Sequence, residues 1–216
     1  MTVNESSADM VAFDPAEHEP GNLYKLMVGT IVPRPIAWVS TVDANGVRNL
    51  APFSFFTGVC ANPPVIAFCP VNRGNPAPGM PLRKDTLRNI HETGEFVVNI
   101  VPERLAAQMN VTSADVPADV DEFELAGLTA VPGVMVGAPR VAEAPVHMEC
   151  KLLQMVEVSP GPLGGNIVLG QVVRFHVRHD LLKNYRIDPD KLDAVGRMAG
   201  ATYSRTRDRF ELERPK

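Results

Sequence analysis

Pro33-Arg34-Pro35-Ile36-Ala37-Trp38-Val39-Ser40-Thr41-Val42-Asp43-Ala44-Asn45-Gly46 decides the fold class. Ile36–Val42 is β-branched and aromatic, the composition of a strand packed on a pleated surface. The prolines stand at its start, where no ladder donor is needed. Asp43–Gly46 is a turn signal strong enough to send Val47–Ala51 back along the first strand. Working outward, Asn62-Pro63-Pro64 introduces a third strand over 65–69, and Phe96–Ile100 reads as a fourth. Val146, Met148, Cys150 and Leu152 alternate with His147, Glu149 and Lys151, which predicts a strand with one core face and one polar face. Its phase slips at Leu152-Leu153, the mark of a bulge. Ile167, Leu169, Val173, Phe175 and Val177 lie on one face of a long sixth strand, paired with the fifth as a hairpin.

Helix is scarce. One short helix is expected from Asp85, with Leu87 and Ile90 inward and Gly94 as its cap. A second follows Pro102 and carries Leu105 and Met109. Residues 70–81 are loop, and residues 110–140 are an irregular stretch over the barrel surface. Six strands joined mostly by short turns predict a mostly β fold, a closed antiparallel barrel; an α/β crossover sheet needs more helix. The expected organisation is a flexible N-terminal arm over 1–20 and one domain over 21–216.

Composition excludes several function classes. The 216 residues are 45% apolar and 21% charged with a net charge of −4, which points to no nucleic acid and no membrane partner. A chain of this length buries roughly 70% of its unfolded surface and needs no metal or disulfide staple. Cys60, Cys69 and Cys150 form no C-x-x-C pair and read as small buried hydrophobes. With no apolar leader in the acidic N-terminus, a cytoplasmic home is the default. The chain has no G-x-G-x-x-G, no P-loop, no H-E-x-x-H and no G-x-S-x-G. Five scattered histidines offer no metal-ligand spacing. His147, facing away from the core stripe, reads as a surface residue, and so do His176 and His179. No catalytic side chain and no metal site emerges, a pattern that fits a protein delegating its chemistry to a cofactor.

The first strand's Pro33–Thr41, followed by Asn49-Leu50-Ala51-Pro52-Phe53-Ser54-Phe55-Phe56, resembles the flavin reductase-like, FMN-binding split-barrel family, particularly its flavoredoxin-like branch. The resemblance continues through Asn62-Pro63-Pro64, Arg83–Ile90, Glu149-Cys150, and Gly196-Arg197-Met198-Ala199-Gly200 with Tyr203, in unbroken order over roughly residues 23–205. It departs at Ala199, which stands where the family's late glycine pair usually follows directly. It implies a homodimer of six-stranded Greek-key split barrels with FMN near the dimer interface. The implied activity is hydride transfer from NADH or NADPH to flavin, with reduced FMN serving a partner oxygenase or redox protein. The alternative is a flavoredoxin-like electron carrier with permanently bound FMN, and a barrel that has lost flavin altogether remains a third reading.

The implied cofactor contacts are Arg34, Ser40, Thr41, Ala51, Pro52, Ser54, Phe55, Phe56, Lys84 and Thr86. Small and hydroxyl residues near Ser54 let main-chain amides approach a planar ring and stabilise its reduced charge; the phenylalanine rings themselves are equally readable as core. Lys84 and Thr86 open a helix whose first-turn amides suit a phosphate, while Asp85 beside them would repel it and caps the helix or points away. Arg34 between two prolines suits a phosphate clamp. Arg197 and Tyr203 would line the open face of the flavin where the substrate stacks, or else a dimer interface.

Overall fold

A computed structural model describes residues 10–215 of the chain. The first nine residues of the expected N-terminal arm lie outside the described residues. Its remainder holds a 3-10 turn, Pro15–Glu17, capped by the Asp14 carboxylate, and the chain is already helical from Pro20. This first helix, α1 (Pro20–Thr30), escapes sequence patterning because it buries only Val28 and contains Gly21 and Gly29.

The main sheet has seven strands rather than six: β1 (Ala37–Val42), β2 (Arg48–Phe53), β3 (Phe56–Ala61), β4 (Pro64–Phe68), β5 (Glu95–Asn99), β6 (Val146–Glu157) and β7 (Asn166–Val177). The unforeseen strand is β3, an edge strand that is exposed over Thr57–Ala61 and so carries no inward–outward alternation. Neighbours run β2-β1-β5-β6-β7-β4-β3, every pairing antiparallel. The two edges of this sheet, β2 and β3, are consecutive in sequence, separated only by Ser54 and Phe55. A two-residue link between opposite edges forces the sheet to roll until those edges meet. They meet without hydrogen-bonding to each other, so the barrel is open along one seam, and Ser54-Phe55 stands at it.

The barrel interior is filled by Ala37, Val39, Phe53, Phe68, Phe96, Val98, Cys150 and Val168, with Leu87 and Ile90 of α2 (Asp85–Thr93) plugging one end. As expected, Gly94 closes that helix in the left-handed conformation, φ 70°. A second cluster, centred on Trp38, Leu50, Leu105, Met109 and Phe123, covers the outer face of β1 and β2. It recruits α3 (Ala106–Val111) and α4 (Glu122–Leu125), and the Trp38 indole N–H donates to the Thr112 hydroxyl at 2.9 Å. Both faces of β1 are therefore covered, which is why its apolar run is continuous.

The β6–β7 hairpin forms as the alternation predicts, with irregularities at Glu149/Cys150 and Leu152/Gln154. Its polar face is not a solvent face. His147 and Glu149 are buried, because the irregular segment before β6 folds over them. Glu149 accepts the amides of Val134 and Met135 and lies 2.6 Å from His176 Nε2. Burial alone would raise that carboxyl, but the two amides and His176 outweigh it and hold it below the usual range. His176 is thus a half-buried partner of Glu149 rather than a fully solvated residue, and His179 lies past the strand in a 3-10 turn. Of the cysteines only Cys150 is buried; Cys69 is half-buried, and Cys60 is exposed on the β3 edge. Among the described residues no helix is long and apolar enough to cross a membrane, and no cluster of His, Cys, Asp or Glu is grouped to hold a metal.

Candidate functional site

The open seam leads into a cleft of about 360 Å³. One wall comes from the end of β2 and the seam itself: Asn49, Ala51, Pro52, Ser54 and Phe55. The N-terminus of α2 supplies the opposite wall with Lys84, Asp85 and Thr86, and the 112–116 segment closes a third side. Residues 35 positions apart in sequence, Ala51 and Thr86 for example, therefore face one cavity.

At the seam the strand ladders stop, so the local main chain is left with spare hydrogen-bonding capacity. Among the described residues, no acceptor pairs with the N–H of Ser54 or Phe55. At the other end, Lys84 is the N-cap of α2 and supplies no side-chain cap. Among the described residues the amides of Asp85 and Thr86 have no acceptor, at the positive end of the helix dipole, while that of Leu87 donates to the Lys84 carbonyl at 3.0 Å.

The charged groups around that helix end form a network that sequence reasoning captured only in part. Arg73, from the Pro/Gly/Asn-rich loop, is buried and donates to Asp85 at 3.0 Å, to Asp115 at 2.9 Å and to the carbonyls of Pro81 and Arg83. Asp85 also takes a 2.6 Å bond from Arg88. The Asp85 carboxylate is thus neutralised by two guanidinium groups, and the repulsion expected of it is largely cancelled. Lys84 donates to the same Asp115 oxygen at 2.7 Å. Partial burial works to raise the Asp115 carboxyl, but Lys84 and Arg73 outweigh it and hold it below the usual carboxylate range. Glu122, the first residue of α4, also lines the cleft, and its carboxylate accepts the Leu50 amide at 3.0 Å. Burial pushes its carboxyl up to about 7; the Leu50 amide opposes this, and nearby Asp85 and Asp121 add to it.

Thr86 is fully buried, and its hydroxyl accepts from Asn49 at 3.0 Å. Ser40 and Thr41 do not line the cleft. Both are 0% exposed: Ser40 donates to the Pro139 carbonyl, and Thr41 accepts from Asn89 of α2 at 3.0 Å. Their direct effect is to fasten β1 to the covering segment and to α2. Arg34 is likewise turned to structural use, 4% exposed, with donors to the carbonyls of Val28, Ile31 and Met198 and to the Ser54 hydroxyl at 3.2 Å. It clamps the C-terminus of α1 and the 196–203 hairpin against the seam. Phe56 packs against the barrel core, while Phe55 remains on the cleft wall beside Tyr24, ring centroids 6.4 Å apart.

A smaller recess adjoins the cleft and shares Tyr24, Pro52, Ser54 and Ser113 with it. Arg197 and Tyr203 line this recess, the guanidinium carbon 4.5 Å from the tyrosine ring centroid. The Tyr203 hydroxyl donates to Asn110 at 3.2 Å. Eight of the twelve residues singled out in the sequence line the cleft or the recess, Arg34 reaches the seam through the Ser54 hydroxyl, and Phe56, Ser40 and Thr41 lie outside both cavities. Arg73, Asp115 and Glu122 were missed; an arginine flanked by Pro, Gly and Asn was the one available signal.

The family model described as flavin reductase like domain matches residues 28–202. Among solved structures, nitrilotriacetate monooxygenase component B from Bacillus cereus is 39% identical, with a TM-score of 0.87 over 95% of this chain and 100% of that one. The 2-nitrobenzoate 2-nitroreductase of Pseudomonas fluorescens is 31% identical, with a TM-score of 0.84 over 95% and 96% of the two chains. A protein with a split barrel domain from Shewanella frigidimarina, 23% identical, superposes with a TM-score of 0.80 over 95% of this chain and 100% of that one, a likeness of fold.

Proposed function

The chain belongs to the flavin reductase-like family, and on that premise we propose that it is an FMN-dependent oxidoreductase that passes a hydride from NADH or NADPH to flavin. The observation that carries this reading is the meeting of two unlike donor sets in one cleft. Unpaired main-chain amides stand at Ser54 and Phe55, and the unpaired amides of Asp85 and Thr86, with Lys84, stand across from them. A ring with carbonyl and imine acceptors joined to a phosphate tail needs both. When bound, FMN supplies the redox chemistry, accepting two electrons and later releasing them.

The chain's own residues bind and orient. The amides of Ser54 and Phe55 would hold the ring's acceptor edge and favour its reduced, more anionic form. Lys84 and the amides of Asp85 and Thr86 would hold the phosphate. Phe55 and Tyr24 give an apolar flank, and the Arg197–Tyr203 recess provides a stacking surface for the nicotinamide donor. No protein nucleophile is required. Residues 21–216 act as one flavin-binding domain, working as a homodimer in the cytoplasm. The apolar residues left exposed on α1 and at its C-cap, Tyr24, Leu26, Met27 and Ile31, supply part of the contact. The resemblance to a monooxygenase component B favours an oxygenase as the consumer of reduced flavin.

NAD(P)H oxidation by purified protein, with and without added FMN, tests the proposal. Turnover that depends on FMN is expected. A protein that neither quenches FMN fluorescence nor oxidises NADH or NADPH in its presence would overturn it.

A further inference from the structure

Among the described residues, Glu122 is the one acidic group of the cleft left without a cation. The residue is 7% exposed and its carboxylate has the Leu50 amide as a partner. The groups around it are accounted for in pairs. On its own segment, Asp121 is bonded to Arg48 at 2.5 Å, and Arg48 also reaches the exposed Glu124. From α2, Asp85 is held by Arg73 and Arg88. From the 112–116 side, Asp115 is held by Arg73 and Lys84. Besides Arg48, already paired with Asp121, β2 contributes Asn49 and the Leu50 amide.

The charge count at the tail end of the cleft follows. Arg73 and Lys84 line the cleft with Asp85 and Asp115, and Arg88, which lies off the lining, adds a third cation through Asp85; the surplus is one positive charge, and an ionised Glu122 would reduce it to zero. An anion entering a partly buried cleft with no surplus positive charge gains less from Lys84 and the helix amides to offset its desolvation. We propose that Glu122 determines whether the cleft accepts a phosphorylated flavin: as a neutral carboxyl it preserves the net positive charge and offers an O–H to a phosphate oxygen, and as a carboxylate it turns the phosphate away. This inference rests on the flavin reading above.

Because the Glu122 carboxyl titrates at about 7, binding of FMN above that pH draws a proton onto Glu122. Riboflavin, with the same ring and no phosphate, does not. The dissociation constants of both flavins, followed by fluorescence quenching from pH 7 to 8.5, test this. A phosphate monoester, with a second pKa of about 6, is already about nine-tenths ionised at pH 7 and contributes little slope of its own across that window. FMN should bind about tenfold more weakly at the upper end, by linkage, while riboflavin affinity stays flat. Glu122→Gln keeps an acceptor for the Leu50 amide and should flatten the FMN profile. Titration calorimetry at pH 8 in buffers of different ionisation enthalpy should show about one proton taken up per FMN by the unaltered protein.

An FMN profile that is flat in the unaltered protein, or that persists in Glu122→Gln, would overturn the inference. Should the variant fail to fold, absence of proton uptake by the unaltered protein is equally decisive. If FMN and riboflavin bind with indifferent pH dependence, only the role of Glu122 falls. If neither binds, the flavin reading itself falls and this inference with it.

Discussion

Asp115 occupies the two cations that a phosphate tail would use, so removing its charge should tighten FMN binding. One of its oxygens lies 2.7 Å from Lys84 Nζ and 2.9 Å from Arg73 Nε. The carboxylate is 49% exposed and Lys84 28% exposed, so solvent screens their attraction. Arg73, at 5% exposed, is screened far less. Hydrogen bonds to charged groups contribute about 1.5–3 kcal/mol, and exposed ion pairs about 0–1 kcal/mol. An intermediate figure of about 1.4 kcal/mol corresponds to a factor of ten. Asp115→Asn should therefore lower the Kd for FMN about tenfold, and Lys84→Ala should raise it about tenfold, with riboflavin moving less than about twofold in either case. The two changes share a partner, so the gain from Asp115→Asn should shrink in the Lys84→Ala background. Both effects should diminish at high ionic strength. Fluorescence titration of the two flavins against the four proteins gives the full cycle. If Asp115→Asn weakens FMN, Asp115 positions Lys84 instead of competing for it. If each change affects both flavins equally, the phosphate does not sit at this helix.

Three other outcomes follow from the same geometry. The Glu122 carboxyl is raised in the folded state to about 7 from an ordinary 4.5, so its stabilising contribution is complete below pH 4.5 and is lost as pH rises through 7. With allowance for the solvent reached through the cleft, that loss is roughly 2–3 kcal/mol. Urea midpoints should then show Glu122→Gln overtaking the unaltered protein at pH 8, and a variant that is the less stable one there would contradict the reading. At Gly170 a Cβ would stand 2.3 Å from Phe96 Cζ and 3.3 Å from Cys150 Cβ. Gly170→Ala should accordingly cost about 1–3 kcal/mol in chemical denaturation, and unchanged stability would show that the Phe96 ring moves freely. Arg34→Lys removes the fork that serves three carbonyls and Ser54. An ammonium cannot span those acceptors, so amide hydrogen exchange should quicken in α1 and around residue 198, and FMN and riboflavin should weaken alike. A selective loss of FMN would restore Arg34 as a phosphate contact.

Much of the barrel was legible because its signals are local. The Asp43–Gly46 turn, the Gly94 cap and the hairpin ending in Val177 each depend on a few adjacent residues, and each formed where expected. What was missed depended on distant chain. β3 lacks alternation because it is an exposed edge. The solvent-facing reading of His147 and Glu149 followed correctly from period-two alternation and failed because residues 134–141, remote from any strand pattern, supply the partners that make burial of those groups tolerable.

The site divides along the same line, and the division explains why Asp85 was the difficult residue. Beside a phosphate, a carboxylate taken with its sequence neighbours alone is repulsive, and that pairwise reasoning is sound. It lacked Arg73, twelve residues upstream, whose guanidinium reaches Asp85 and Asp115 together. Ser40 and Thr41 erred in the other direction: hydroxyls in a strand beside the seam have the right chemistry for a ring contact, but both faces of β1 are covered, and the hydroxyls are spent on Pro139 and Asn89. Residue type could therefore identify which groups are able to bind an anion. Whether the cleft has positive charge to spare depends on pairings across 30 or more residues, from Lys84 to Asp115 and from Leu50 to Glu122, and only the folded chain sets them. The protonation of Glu122 is where that balance tips, since every other carboxylate on the cleft wall already has its cation.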